Sequence, residues 1–492
     1  MSQHRYPSLY QINTRVWLTA HARQLGRPAT LDDISDLELD QLADLGVEWI
    51  WLLGVWQTGP ASRAVSLSKP DWRHEYAATL PDLTDADIGG SCFAITDYRV
   101  HDDLGGDAAL ARVRQRLVQR DLKLMLDFVP NHMALDHGWI NTHPEYFVPG
   151  TPEQIAAQPQ NFIRLQTADG ERIFAYGRDP YFDGWPDTLQ INYAREDVQE
   201  AMTEQLLEVA HRADGVRCDM AMLMLPDVFR GTWHLESQPF WPDAVSHVKR
   251  DYPDFTFMAE VYWDREWELQ QQGFDYTYDK RLYDRLHGGA LEPVRQHLWA
   301  SLDFQARSAR FMENHDEPRA AATFPHGKHQ AAATITYLSP GLRFFHQGQF
   351  EGKRLRISPH LVRGPDEPID GELQSFYARL IELLKQPVLG DGRWQLVDCR
   401  AAWDGNSSCQ DFMAFAWDDD NDHRLLVAVN YADHSSQCYV QLPWLELAGH
   451  SWQLTDRLSD EQYLRDGSNL LERGLYLDVP PWHSQALVFE RV

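Results

Sequence analysis

The chain has 492 residues, of which 43% are hydrophobic and 24% charged. This is ordinary globular composition and excludes disorder as a global description. The 45 basic and 73 acidic residues give a net charge of −28, which excludes nucleic-acid binding by a broad basic face. At about 150 residues per domain the length predicts about three domains, although an α/β barrel can use about 250 in one.

The ends and the cysteines predict a cytoplasmic chain that has no membrane partner. The first residues show no basic region followed by an apolar run, so no secretory signal is expected. The sequence contains no uninterrupted stretch of about 18 apolar residues, so no transmembrane helix is expected. The five cysteines are widely spaced without a CxxC pair, so neither a disulfide framework nor a structural zinc site is expected. Cys399 and Cys409 could pair only if they face each other on adjacent strands.

Short apolar runs alternate with helical patterns through the first two-thirds of the chain. The runs, which have the character of buried parallel strands, are 48–53, 122–129, 215–219, 255–261, 309–312 and 342–345. The amphipathic stretches are 106–120, 197–212, 280–300 and 371–386. Repeated alternation of this kind predicts a parallel barrel.

Two regions depart from the alternation. Segment 133–195 is rich in Pro, Gly, Asn and aromatic residues, which predicts a small domain inserted after the third strand, here called domain B. After about residue 386, alternating runs predict a C-terminal antiparallel β-sandwich. The predicted architecture is a (β/α)8 TIM barrel over 1–132 and 196–386, with domain B at 133–195 and a β domain at 387–492.

Four segments put polar residues at the carboxyl ends of predicted strands. They are DFVPNH (127–132), GVRCDMA (215–221), MAEVYW (258–263) and ENHDEPR (313–319). The side chains concerned are His132, Arg217, Asp219, Glu260, His315 and Asp316. One such residue alone is more often a cap or an ion-pair partner. Because the active-site residues of a barrel all come from this face, four such segments together predict a shared site.

Three carboxylates and one arginine suit the cleavage of a glycosidic bond. Two carboxyl groups can flank the bond, and a third can stabilise the positive charge that develops. Arg217 lies on the same strand face as Asp219 and would keep that carboxylate ionised. The pKa of Glu260 should be raised by burial and by the neighbouring carboxylates, so that it starts protonated.

A metal site is the alternative use of these residues. Two histidines and three carboxylates could bind a divalent ion. The sequence has no HExxH motif and no closely spaced histidine pair, and Arg217 would repel a cation. Glycosidic chemistry is therefore favoured.

The four segments, in this order, resemble the four short motifs of glycoside hydrolase family 13, the α-amylase family. The resemblance extends to the barrel, domain B and the C-terminal domain. It implies that Asp219 is the nucleophile, Glu260 the general acid/base and Asp316 the transition-state stabiliser. It also places His132, Arg217 and His315 around the first sugar subsite. The implied chemistry is retaining cleavage of α-glucosidic bonds through a covalent glycosyl-enzyme.

The sequence differs from the family pattern at some positions. Segment 91–98, SCFAITDY, is similar to the family stretch GYDxxDY, with Phe93 where Tyr is usual. Phe93 is expected beneath a sugar ring, without a hydroxyl to donate. Asn131 matches a calcium-ligand asparagine of the family, and the alternative is a hydrogen bond that holds domain B. No cofactor is expected to be required, while calcium is left open as a structural ion.

The expected function is a retaining glycoside hydrolase acting on α-glucosidic bonds of small oligosaccharides or glucosides. The alternatives are an α-glucosyl transferase, isomerase or phosphorylase of the same family, and a non-catalytic sugar-binding subunit. The sequence indicates neither the oligomeric state nor the exact substrate.

Overall fold

In the computed structural model, which describes residues 4–492, eight parallel strands close into a barrel. The strands are β1 (Ser8–Asn13), β2 (Trp49–Leu53), β3 (Lys123–Phe128), β4 (Gly215–Cys218), β5 (Thr256–Ala259), β6 (Tyr276–Tyr278), β7 (Ser308–Phe311) and β8 (Leu342–His346). Each strand pairs with its neighbours in chain order, and β8 closes the ring onto β1. The predicted barrel is confirmed.

Six of the eight strands coincide with the predicted apolar runs, and two do not. Strand β1 reads SLYQIN and strand β6 only YTY, so neither shows a long apolar run, yet every residue of both is buried. Polar side chains of these strands have hydrogen-bond partners on other elements. Thr277, for example, receives a hydrogen bond from Gln270 Nε2 at 2.9 Å.

Helices surround the barrel. The main ones are Thr14–Leu25, Asp36–Asp44, Gly106–Val118, Glu196–Arg212, Trp241–Asp251, Glu266–Gln271, Lys280–Gly288, Leu291–Leu298, Leu302–Ala306, His326–Leu338 and Gly371–Leu384. The predicted helix at 280–300 is two helices. The first ends at Gly289, whose φ of +83° is the left-handed conformation that glycine tolerates.

Two excursions lie at the carboxyl end of the barrel. After β3 comes an antiparallel sheet in the order His132–Ala134, Trp185–Gln190, Gly170–Gly177 and Phe162–Thr167. Its short helices are Trp139–Thr142 and Pro152–Ala157. After β2 come helices Pro60–Ser68, Pro70–Thr79 and a strand pair, Trp56–Thr58 with Ile95–Val100. These excursions wall the site described below.

The C-terminal region forms two antiparallel sheets. One has six strands in the order Arg393–Leu396, Phe412–Asp418, Arg424–Asn430, Ser484–Arg491, Ser451–Asp456 and Gln462–Asp466. The other has three, in the order Cys399–Arg400, Ser436–Val440 and Leu475–Val479. Side chains of both sheets, Leu426 and Leu477 among them, share one buried cluster. The predicted C-terminal antiparallel domain is confirmed.

The cysteines and the helices can be compared with what the sequence predicts for disulfides and membrane spans. All five cysteines have free thiols, so Cys399 and Cys409 are not bridged. Over residues 4–492, the helices are all too short or too polar to cross a bilayer.

A glycine before β8 provides a test of how tightly the barrel is packed. Gly341 has a φ of +121°, and a Cβ atom there would lie inside van der Waals contact of Ser308 O and 3.0 Å from Gln305 O. We expect Gly341→Ala to lower the free energy of unfolding by about 3 kcal/mol or more, because backbone strain and a backbone clash add. Gly106→Ala is the matched control: its φ is +67° but nothing lies within 4 Å, so it should cost about 1 kcal/mol. Equal losses in urea unfolding would contradict this.

Candidate active site

A cavity of about 330 Å³ opens at the carboxyl ends of the barrel strands. Its lining includes five of the residues singled out from the sequence or its resemblance, namely Phe93, His132, Asp219, Glu260 and Asp316. Arg217 and His315 contact these residues from beneath. The structure therefore brings together the seven residues predicted to be catalytic or to bind substrate.

Arg217 joins the two principal carboxylates. Its Nη1 donates to Asp219 Oδ1 at 2.7 Å, and its Nη2 donates to Glu260 Oε2 at 2.6 Å. The Arg217 side chain has no solvent exposure, while those of Asp219 and Glu260 are 9% and 4% exposed. From the sequence we assigned this cation to Asp219 alone. The structure shows that Glu260 shares it, because β4 and β5 are adjacent strands of the barrel.

Aromatic rings and a third carboxylate enclose the guanidinium. Its carbon lies 5.4 Å from the ring centroid of Trp51, 5.2 Å from Phe93 and 5.9 Å from Tyr278. Asp127 lies on its inner side, with Oδ1 3.7 Å from Nη1. The Asp127 carboxylate accepts from Gly54 N at 3.0 Å, and burial raises its pKa to about 7. One cation thus lies close to three buried carboxyl groups, those of Asp127, Asp219 and Glu260.

The two carboxyl groups bound to Arg217 have raised pKa values. For Asp219 and for Glu260 the largest cause is burial, which the charge of Arg217 opposes. The charge of Asp219 raises the pKa of Glu260 further. A protonated Glu260 beside an ionised Asp219 is the arrangement that these charges favour.

Glu260 has two more partners that the sequence argument missed. Met220 N donates to Oε2 and the Tyr262 hydroxyl donates to Oε1, both at 2.8 Å. Met220 adopts a φ of +43°, a strained conformation for a residue with a side chain, directly after Asp219. The strain turns this amide toward Glu260. Tyr262 lies two residues after Glu260 in the sequence, and this spacing could have identified it as a neighbour of the Glu260 carboxyl group.

Asp316 faces the other carboxylates from β7. Its side chain is 39% exposed, so it is more accessible to solvent than that of Asp219 or Glu260. Asn314 Oδ1 accepts from the amide of Asp316 at 2.9 Å, which fixes the turn after the strand. Gln11 Nε2 lies 2.9 Å from Nδ1 of His315. Because that amide nitrogen is a donor, the ring proton sits on Nε2, 3.0 Å from Asp316 Oδ2.

Phe93 and His132 both line the cavity wall. The Phe93 ring lies 5.3 Å from the ring of His315, tilted by 35°. The His132 ring lies 5.1 Å from Trp185 of the inserted sheet, and burial lowers its pKa to about 4. His132 is therefore neutral at pH 7 and can both donate and accept hydrogen bonds.

Three further wall residues carry no motif signal: Trp72 and Asp187 from the excursions, and His360 from the segment after β8. The Ser62 hydroxyl donates to Asp187 Oδ2 at 2.7 Å, and Ser66 Oγ lies 2.8 Å from His360 Nδ1. These contacts tie helix Pro60–Ser68 to the rim of the cavity. Only the tertiary fold places these residues together.

The hydrogen bonds of Asn131 link the barrel to the inserted sheet. Asn131 is buried, and its Oδ1 accepts from Gln190 Nε2 at 2.9 Å. Its backbone carbonyl accepts from Ile191 N at 3.0 Å. Within the described part of the chain, no group of three His, Cys, Asp or Glu side chains is arranged to hold a metal. The observed role of Asn131 is to join the inserted sheet to the barrel.

A family model described as the alpha-amylase catalytic domain matches residues 26–355. The chain belongs to the alpha-amylase family. Alpha-amylase MalA of Haloarcula japonica is 25% identical over 362 residues, which cover 71% of this chain and 45% of that protein. The chain spans about half the length of the curated relatives that it matches.

Solved structures of alpha-amylase family proteins share the fold. The maltogenic alpha-amylase AmyB of Thermotoga neapolitana superposes with a TM-score of 0.69 at 17% identity, covering 99% of both chains. A point mutant of the trehalulose synthase MutB superposes with a TM-score of 0.65 at 16% identity, also covering 99% of both chains. At these identities the likeness establishes the fold alone.

The raised pKa of Asp127 predicts a pH-dependent stability. A carboxyl whose pKa is about 7 when folded and about 4 when unfolded favours folding at low pH, and this stabilisation is lost as the pH rises from about 4 to about 7. This group should make the free energy of unfolding of the wild type fall by about 2–4 kcal/mol as the pH rises through this window. We expect Asp127→Asn to remove that fall. Urea unfolding at pH 5 and pH 8 measures it.

Asp44→Asn serves as the control, since Asp44 is exposed and lies on the far helix Asp36–Asp44. It should leave the wild-type pH profile unchanged. A profile of Asp127→Asn that runs parallel to that of the wild type would contradict the assignment.

Proposed function

We propose that this alpha-amylase family chain is a retaining glycoside hydrolase that cleaves α-glucosidic bonds of small oligosaccharides or glucosides. The observation that carries the proposal is the shared guanidinium of Arg217, which holds Asp219 and Glu260 side by side at the floor of one cavity. Asp316 lines the same cavity. Two carboxyl groups of opposite protonation state are what glycosidic cleavage requires, and a third on the rim can stabilise the developing positive charge.

In the first step Asp219 attacks the anomeric carbon while Glu260 donates its proton to the leaving oxygen. The glycosidic C–O bond breaks, the C–O bond to Asp219 forms, and the leaving group departs as an alcohol. Arg217 favours ionised Asp219, and the negative charge of Asp219 favours protonated Glu260. The charge of Asp219 therefore supports the protonated state that Glu260 needs.

In the second step ionised Glu260 takes a proton from water, and the oxygen attacks the anomeric carbon. The bond to Asp219 breaks, which returns both groups to their starting states with net retention. The oxocarbenium-like transition state is positive, and the partly exposed carboxylate of Asp316 can stabilise that charge. His132 and His315, both neutral, are suited to bonding sugar hydroxyls, and Phe93 offers a ring face.

The preference for small substrates is supported by the cavity. At about 330 Å³ it lies at the small end of the range for ligand pockets. Its walls come from the inserted sheet, the helices after β2 and the segment after β8, represented by Trp185, Trp72 and His360. A site walled on these sides suits a short substrate better than an open cleft would.

The test is a screen of α-linked disaccharides, oligosaccharides and aryl glucosides with product identification. We expect Asp219→Asn to lower kcat/KM by about 10³-fold or more on any substrate turned over, because the nucleophile is lost. The exposed Asp183→Asn is the control and should retain wild-type activity. Wild-type turnover by Asp219→Asn would overturn the proposal. New glucosides formed with an added sugar acceptor would identify a transferase.

The hydroxyl of Tyr262 should set the pH range of the reaction. It donates to Glu260 and thereby stabilises the ionised carboxylate, so Tyr262→Phe should raise the pKa of Glu260. Since a general acid acts when protonated, the alkaline limb of the kcat/KM profile should move to higher pH by about 0.5–1 unit.

The matched control is Tyr181→Phe, which removes an exposed hydroxyl from a ring that packs on Trp263. Its profile should overlay that of the wild type. An alkaline limb that stays in place or moves to lower pH in Tyr262→Phe would show that the hydrogen bond does not act on the acid.

A further inference from the structure

A second cavity, of about 650 Å³, lies behind the wall of the active site. It is bounded by helix Thr14–Leu25, the start of helix Pro60–Ser68, segment 86–89 and segment 101–104. Across the described residues it shares no lining residue with the catalytic cavity. Nothing in the proposed glycosidic reaction uses it.

Two arginines in its lining have no carboxylate partner among the described residues. Arg15 donates from Nη1 to Gly90 O at 3.0 Å and from Nη2 to Thr58 Oγ1 at 3.1 Å. Arg63 donates to two backbone carbonyls, those of Ile88 at 2.8 Å and Asp85 at 2.7 Å. Within residues 4–492 neither guanidinium forms an ion pair. Because a guanidinium has five N–H donors, each of these keeps donors to spare.

The surroundings of Arg15 increase the need for a counter-ion. Burial lowers its pKa, and of the neighbouring carboxylates only Asp103 acts against this. Asp103 itself lines the cavity, but it is a weak counter-ion because its side chain is 89% exposed. His101 also lines the cavity, and its Nδ1 accepts from the amide of Asp103 at 3.2 Å. The proton of the neutral ring is therefore on Nε2, which supplies another donor.

We propose that this cavity binds a small organic phosphate, whose phosphate group is held by Arg15 and Arg63. Guanidinium forks match phosphate oxygens in pairs, and such charge-assisted bonds are the strong ones. Thr58 and His101 add neutral donors beside them.

The volume of the cavity points to an organic body on the phosphate. A space of about 650 Å³ is typical of pockets for small molecules and larger than a bare ion needs. The remaining wall is largely apolar and includes Leu18, Ala29, Ile88 and Leu104. The anionic end is thus expected at the arginines and the organic part against this wall.

The experiment measures binding and does not depend on catalysis, so its failure is separate from a failure of the proposed function. Inorganic phosphate, a hexose monophosphate and the parent hexose are titrated into the full chain by calorimetry, with chloride at equal ionic strength as the blank. We expect both phosphates to bind and to raise the melting temperature, with the hexose monophosphate tighter. Binding of the free hexose alone, or shifts equal to those with chloride, would overturn the proposal.

Arg63→Gln should weaken phosphate binding about tenfold or more, because two charge-assisted bonds are lost. Arg15→Gln should do the same. Since Arg15 also supports Gly90, Arg63→Gln decides the matter alone if the other variant does not fold. The control is Arg73→Gln on the neighbouring helix, where Arg73 pairs with Asp85 at 2.8 Å outside the cavity. Unchanged affinity in Arg63→Gln, or an equal loss in Arg73→Gln, would contradict the assignment.

Discussion

The buried guanidinium of Arg217 is the constraint on which the site depends. A carboxylate buried without a partner costs several kcal/mol, and three carboxyl groups, those of Asp127, Asp219 and Glu260, lie close to this cation in the barrel interior. Burial is the largest cause of the raised pKa values of all three groups, and one positive charge cannot fully offset it. Burial, together with the excess of carboxyl groups over cations, therefore favours a proton held at the site.

The barrel makes this arrangement rigid. Arg217 and Asp219 belong to the end of β4, Glu260 follows β5 and Asp127 lies in β3, so three adjacent strands supply the cluster. The aromatic rings of Trp51 and Tyr278 pack on the guanidinium from β2 and β6. Because neighbouring strands fix the positions of all these groups, the geometry costs little reorganisation when charge moves during a reaction.

The sequence was sufficient for the parts of the fold and site that depend on local pattern. Apolar runs located six barrel strands, and the polar residues after them located the carboxylates. Strands β1 and β6 could not be found in this way, because neither has a long apolar run and a polar residue such as Gln11 of β1 finds its partner, His315, 304 residues away in the chain. The same holds for Asp187 and His360, which join the site through contacts with Ser62 and Ser66 across long loops. Sharing of Arg217 by Glu260 also required the register of two strands, which no local pattern contains.

The net charge of −28 does not describe the charge around a particular site, which depends on where the individual charges lie. At physiological ionic strength the Debye length is about 8 Å, so most surface carboxylates do not act on a site deeper in the protein. What a ligand meets is the local balance, which is negative around Asp219 and positive around Arg15. The first suits an oxocarbenium-like transition state and the second an anion. An acidic protein can therefore present an anion site, provided that its arginines, like Arg15 and Arg63, bind neutral carbonyl and hydroxyl groups instead of carboxylates.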